Sequence, residues 1–442
     1  MIQNFSSLYL NKNQFLIFLM GISSGIPLYL ILSTLFIWLT RENIDISTIG
    51  LFALTQIPWT IKFLWAPFID NFKIPILYKI VGHRKSWLFV IQFFLIFSIL
   101  LLGFSDPVQN IELTAFFALL VSFFSASQDI VIDSYRIEIL DDSSQGAGAA
   151  VTQFGYRIGG ILAGAGSLYL KYYFAWNTVF MIVGFIIFFL GLSILFLPIK
   201  KDHLSKNRNE KNLLKPFYEF LFRHSAIKVF LILIFIFSFK FGDVIAGVMA
   251  NPFYVKIGFS NIEIANASKV FGVLMTICGV FLGGYLVKKL GIIYALIVSG
   301  FFQVLSNLLY VLLNFVGSEI SYLYLTVAGE NFSGGLGSAA FVAYLSALCN
   351  KNYTGTQYAL LSSIMGLART VLSSPSGYLV ESFGWTNFFI LSTFLGIPAL
   401  LVLFWMKKNF HLEMQKSMIK NLKAKSVMRL TYLGIKVDRV LS

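Results

Sequence analysis

The sequence predicts an all-α membrane protein whose chain crosses the bilayer twelve times, as two groups of six helices. Three observations carry this. First, 57% of the 442 residues are hydrophobic and only 12% are charged, with a mean hydropathy of +0.78; soluble domains are nearer a quarter charged. Second, twelve runs reach the ~20 residues a helix needs to span the hydrocarbon core: 14–39, 48–69, 86–104, 113–135, 147–170, 176–197, 227–250, 264–287, 291–315, 321–348, 357–380 and 385–406. Third, spans five and eleven repeat a pattern. AAVTQFGYRIGGILAGAGSLYL precedes Trp176 and QYALLSSIMGLARTVLSSPSGYLV precedes Trp385, each with an arginine near mid-span (Arg157, Arg369) followed by small residues.

These signals divide the chain into an N-terminal six-helix half (1–197), a polar, basic central loop (198–226), a C-terminal half (227–406) and a basic tail (407–442). Gly25, Pro27, Pro58, Pro67 and Pro375 lie inside spans, where neighbouring helices re-satisfy the freed backbone groups. The first apolar run is too long for a cleavable signal peptide. Two cysteines, Cys278 and Cys349, form neither a disulfide framework nor a metal spacing.

Charge placement sets orientation. Of the 34 lysines and arginines, only Arg41, Lys171 and Lys256 fall in the loops of one side. Most of the others lie on the opposite side, including Lys73, Lys79, Arg84, Lys85 and Arg136, the central loop and the tail. The positive-inside rule then places both termini in the cytoplasm. The same distribution accounts for the net charge of +14 without a nucleic-acid partner. The tail suits the anionic inner leaflet.

Charges inside spans are costly, ~2.5–3.5 kcal/mol at the bilayer centre, and so mark functional candidates. They are Lys62, Asp129, Asp133, Arg157, Lys240, Asp243, Lys269, Glu330 and Arg369. Spans 3, 6, 9 and 12 have none, which makes those four outer supports and the rest walls of a polar interior. Lys240 and Asp243, three apart on one helix, can neutralise each other. Lys62, Arg157 and Arg369 have no acid within a helical turn, which suggests a cationic cavity for an anionic or zwitterionic small molecule. With Lys240, Lys269 and Gln128 they form the substrate-binding candidates. Asp129, Glu330 and Asp243 are the proton-carrying candidates, since removal from water disfavours an ionised carboxylate. Asp129 and Asp133, four apart in FFSASQDIVIDSYRIEIL, share one helix face; Asp129 lies deeper. In GENFSGGLGSAAF, the small residues after Glu330 suit close helix packing.

The loop APFIDNFKIPILYKIVGHRKSW places Asp70 at the end of span two, and Gly82, Arg84 and Lys85 before span three. With Asp133 and Glu138 these form the candidate cytoplasmic gate. All four histidines (His83, His203, His224, His411) fall outside the spans, and no Walker A loop or nucleophile motif is present. Neither an ATP-driven pump, an enzyme nor a cofactor or metal protein is expected.

Two resemblances follow. Six-plus-six spans with parallel halves are the organisation of major facilitator transporters, in which the Asp-then-Gly-and-basic loop latches the inside gate and spans 3, 6, 9 and 12 are peripheral. Collinear segments over roughly 14–400 resemble the AmpG family of muropeptide permeases: GISSGIPLYL, IKFLWAPFID, SASQDIVIDSY, GYRIGG, KFGD, SGGLGSAAFVAYLSALCN and TQYALLS. That resemblance implies a proton-driven importer of anhydromuropeptides in the inner membrane; a monomer is expected. A symporter for another anionic metabolite, such as an acetyl-CoA-type cargo, or a non-transporting membrane sensor is the alternative.

Overall fold

The computed structural model of the chain describes residues 7–198, 212–223, 225–373 and 375–408. Residues 199–211 of the central loop and 409–442 of the basic tail lie outside them. Among the described residues the structure is helical, with no strands.

Among the described residues eight helices are long and apolar enough to cross a membrane: α1 (Lys12–Arg41), α3 (His83–Phe104), α4 (Ile111–Ile139), α6 (Trp176–Phe196), α7 (Ala226–Ile257), α8 (Ile262–Leu290), α9 (Ile292–Val316) and the run Ser376–Lys408. That last run is broken at Gly384, whose φ of 72° and ψ of 165° end one helix and start another. The twelfth span, α12, therefore begins after it (385–408), where the sequence places the 11–12 turn. The remaining spans are α2 (46–71), α5 (145–173), α10 (Ile320–Leu348) and α11 (Thr354–Ser373).

Several spans are interrupted, and local sequence explains some of the breaks. α2 is assembled from short pieces separated by 3-10 turns at Phe52–Gln56 and Lys62–Leu64, with prolines at the start of two of its α-helical pieces. α7 stops at Ser238 and resumes at Phe241, leaving Lys240 at φ −106° and ψ 12°.

Within the N-terminal half, α1 and α5 meet backbone to backbone. A Cβ on Gly21, Gly25, Gly155 or Gly159 would strike the carbonyl of the facing helix. α8 and α10 meet the same way, through Gly279, Gly283 and Gly335, so the small residues after Glu330 do serve close packing. The two halves join where α5 packs on α8 and α10, and where α11 packs on α2 and α4. α3, α6, α9 and α12 stay outside that junction and turn Phe93, Phe97, Phe188, Phe189, Phe301 and Phe404 outward, as a lipid-facing surface requires.

Candidate functional site

A cavity of about 500 Å³ lies between the halves, bounded by α5, α7, α8 and α10. This is the usual size for a small-molecule site. Five of the charged residues expected from the sequence line it: Arg157 of α5, Lys240 and Asp243 of α7, Lys269 of α8 and Glu330 of α10. The elements that place them are irregular. Lys240 sits at the α7 break, and Lys269 lies in a π-helical stretch, Ala265–Phe271. Lys240 Nζ donates to the Gly334 carbonyl at 3.1 Å and to Ser338 Oγ, which ties the α7 break to α10. Asp243 lies in Coulombic range of Lys240. Glu330 accepts a hydrogen bond from the Tyr310 hydroxyl of α9. Three cations and two acids around one cavity can hold a ligand with several carboxylates and an amine.

The structure separates other candidates from this cavity. Asp129 accepts from Ser24 Oγ of α1, and buried Lys62 of α2 is its main electrostatic partner. Neither lines the cavity. Gln128, expected to bind substrate, is fully buried and donates from Nε2 to the Ser23 carbonyl at 3.1 Å. Successive helix positions point about 100° apart, so when Asp129 meets Ser24, Gln128 is turned onto the neighbouring backbone. The Arg369 side chain lies outside the described residues.

At the end of the bundle carrying the 2–3 and 10–11 turns, the halves are tied together. Arg84 pairs with Asp70 at 2.8 Å and with Glu138 at 2.7 Å. It also donates to Thr354 Oγ1 at 3.0 Å, and Thr354 donates to Glu138. Asp70, fully buried, accepts from Thr356. Two expected gate members have other partners. Asp133 meets Arg136 at 3.4 Å rather than Arg84 or Lys85. It lies five residues, or ~7.5 Å of helix rise, deeper than Glu138, which takes Arg84. Lys85 donates to the Leu195 carbonyl at 3.2 Å, tying α3 to α6. The hydrogen bond from Tyr9 to the Phe281 carbonyl also crosses between the halves.

Sequence reasoning missed several participants. Arg136 reads as a loop cation, yet it is fully buried inside α4, donates to Ser346 Oγ of α10 at 3.2 Å and stacks over Tyr358 of α11 at 5.5 Å. Its i,i+3 spacing from Asp133 was the available signal. Tyr310 belongs to a buried polar stripe on α9 (Gln303, Asn307, Tyr310) that charge counting overlooks. The described end of the central loop forms the helix Lys215–Phe222. Its Glu219 binds Arg223 at 2.6 Å, Asn350 at 2.8 Å and Gln357 at 2.6 Å, fastening the helix to the 10–11 turn. Burial pushes the Glu219 carboxyl up, but these three hydrogen bonds and the Arg223 charge outweigh it and hold it below its ordinary value.

Comparison with known proteins agrees with this architecture. The family model of the Major Facilitator Superfamily matches residues 15–373. Putative transporter AmpG 1 of Rickettsia bellii (strain RML369-C) is 35% identical over 412 residues, covering 90% of this chain and 99% of that protein. Anhydromuropeptide permease of Escherichia coli (strain K12) is 34% identical over 391 residues, covering 88% of this chain and 78% of the permease. Among solved structures, the proton:xylose symporter XylE superposes with a TM-score of 0.68 at 14% identity, over 91% of this chain and 96% of that one. FucP in the outward conformation superposes with a TM-score of 0.65 at 12% identity, over 89% and 98%. At such identities the structural likeness speaks for the fold alone, whereas the sequence matches speak for kinship. The chain is a membrane transporter and belongs to the AmpG family of the major facilitator superfamily.

Proposed function

We propose that this protein imports anhydromuropeptides, the sugar-peptide fragments of the cell wall, across the inner membrane together with protons. The observation that carries the reading is the cavity between the halves, with Arg157, Lys240 and Lys269 beside Asp243 and Glu330. A ligand bearing several carboxylates and an amine matches that set of charges, and the E. coli relative is named as a permease for this class. Arg157, Lys240 and Lys269 hold the substrate carboxylates, with Lys62 and Arg369 kept as further cationic candidates. The acids Asp129, Glu330 and Asp243 carry the proton. An inward proton gains ~2.3 kcal/mol per 100 mV of membrane potential.

Both termini face the cytoplasm in this reading, the Asp70–Arg84–Glu138 cluster is the cytoplasmic gate, and the structure is the state closed on that side. Alternating access rocks 14–197 against 227–406 about the cavity as a monomer.

Uptake of labelled anhydromuropeptide into vesicles, with and without an uncoupler, tests both parts. Accumulation abolished by the uncoupler is the expected result. Absence of uptake removes the substrate, leaving another anionic metabolite as the cargo, and uptake indifferent to the uncoupler removes the coupling.

A further inference from the structure

Behind the main cavity, on the side of the outer helices, lies a second and much smaller pocket of about 10 Å³. It is bounded by α7, α9 and α12 through Phe239, Gly242, Asp243, Gln303, Asn307 and Gly396, among others. Asp243 lines both spaces, so it forms the partition between them. Three buried polar groups on this pocket lack a hydrogen-bond partner: Asp243 Oδ2, both amide atoms of Gln303, and Asn307 Oδ1. Gln303 is 3% exposed and Asn307 1%. Leaving such groups unpaired in a low-dielectric interior is costly. A helix break adjoins the pocket as well: α7 is interrupted at Phe239–Lys240, and Phe239 lines the pocket. Discontinuous helices of this kind line small-ion and proton sites in transporters.

We propose that Asp243, Gln303 and Asn307 hold one internal water in this pocket, and that Asp243, hydrated from behind in this way, carries the coupled proton. The inference rests on the proton-coupled reading above and names which acid does the coupling. The volume is that of about one water, and the site offers the two to four polar partners a buried water needs. Water also suits an acid that must exist in two states. It donates to the carboxylate Oδ2 while accepting from Gln303 Nε2; when the carboxylate takes up one proton, the resulting O–H donates to the same water. A fixed donor or a metal cation would serve only the ionised state. Positive charge is already supplied by Lys240 on the same helix. Glu330 of α10, Arg157 of α5 and Lys269 of α8 face Asp243 across the main cavity, while α9 and α12 bring no charge to the small pocket. The side chain of Arg369 on α11 is outside the described residues.

An infrared pH titration of the purified full-length protein tests this without any substrate. The protonated carboxyl band of Asp243, assigned by its loss in Asp243→Asn, should shift in both Gln303→Met and Asn307→Leu, with folding of each variant checked by its melting temperature. A band that stays in place in either folded variant overturns the proposal, as does the absence of any band lost in Asp243→Asn. A band that moves when sodium replaces potassium also overturns it, in favour of a cation site. In vesicles, Gln303→Met should displace the proton concentration for half-maximal anhydromuropeptide uptake about tenfold while changing KM less than about twofold. Wild-type protein that fails to take up the substrate sinks the muropeptide reading and leaves the infrared result standing.

Discussion

Asp70 Oδ2 accepts two hydrogen bonds from Thr356, one from its backbone N–H at 2.6 Å and one from its hydroxyl at 2.7 Å. The pair joins the last turn of α2 to the first turn of α11, across the junction of the two halves. A carboxylate at a helix N-terminus satisfies orphan N–H groups and complements the helix dipole. The same Asp70 also pairs with Arg84, so one buried acid of α2 holds both α11 and α3.

Replacing Asp70 with Asn should therefore loosen this end of the protein selectively. The two hydrogen bonds from Thr356 to the Asp70 carboxylate cross between the halves; a hydrogen bond to a charged group is worth about 1.5–3 kcal/mol, and about 3 kcal/mol is a hundredfold change in the closed-to-open ratio. Distances between spin labels on the 2–3 and 10–11 turns should broaden toward longer values. An unchanged distribution would show that the remaining ties, Thr354 to Arg84 and Glu138 and Tyr9 to Phe281, suffice.

Glu219 makes a pH-dependent contribution outside the membrane. Its carboxyl is held below the ordinary value of 4.5 in the folded protein. The stabilisation is thus fully present above that ordinary value and is lost as pH falls through the depressed one. Glu219→Gln should cost about 1 kcal/mol at pH 7 and almost nothing below the depressed value. Melting curves of the two proteins between pH 7 and pH 3 should converge on acidification; a constant offset would sink the assignment.

Two adjacent glycines on α10 should respond oppositely to alanine. A Cβ on Gly335 would press into the Thr276 carbonyl and approach the Val280 nitrogen to 3.0 Å, whereas one on Gly334 meets nothing within 4 Å. Gly335→Ala forces α8 and α10 apart and should destabilise by about 1–3 kcal/mol. Gly334→Ala should leave the melting temperature unchanged or slightly raised, since alanine is the better helix former by about 1 kcal/mol.

Tyr310→Phe removes the donor to Glu330 while keeping the ring stacked on Phe389 at 4.5 Å. A hydrogen bond to a charged group is worth about 1.5–3 kcal/mol, so uptake should fall about tenfold or more with normal expression. Uptake equal to wild type would mean that Glu330 takes no part in the transport cycle.

Arg157→Gln and Lys269→Gln should each raise KM for uptake by at least about tenfold, the cost of one lost charge-assisted contact. A purely structural role would instead lower expression and leave KM alone.

The sequence by itself determined the membrane class, the number of spans and the outer position of α3, α6, α9 and α12. Those follow from composition and length, because hydrocarbon tolerates neither unpaired backbone nor stray charge. It also singled out Arg157, Lys240, Asp243, Lys269 and Glu330, since buried charge is conspicuous against apolar runs. Only the tertiary structure decided which charges meet. Arg84 chose Glu138 over Asp133 because a few residues of helix rise separate the two acids. Gln128 turned onto α1, away from the cavity, because neighbouring positions on a helix face different ways. The neutral polar stripe of Gln303, Asn307 and Tyr310 stayed invisible to charge counting, and Arg136 passed for a loop residue. Pairing depends on which helix faces which, and this is set by backbone contacts such as Gly279 with Phe332, between helices that one sequence read alone does not bring together.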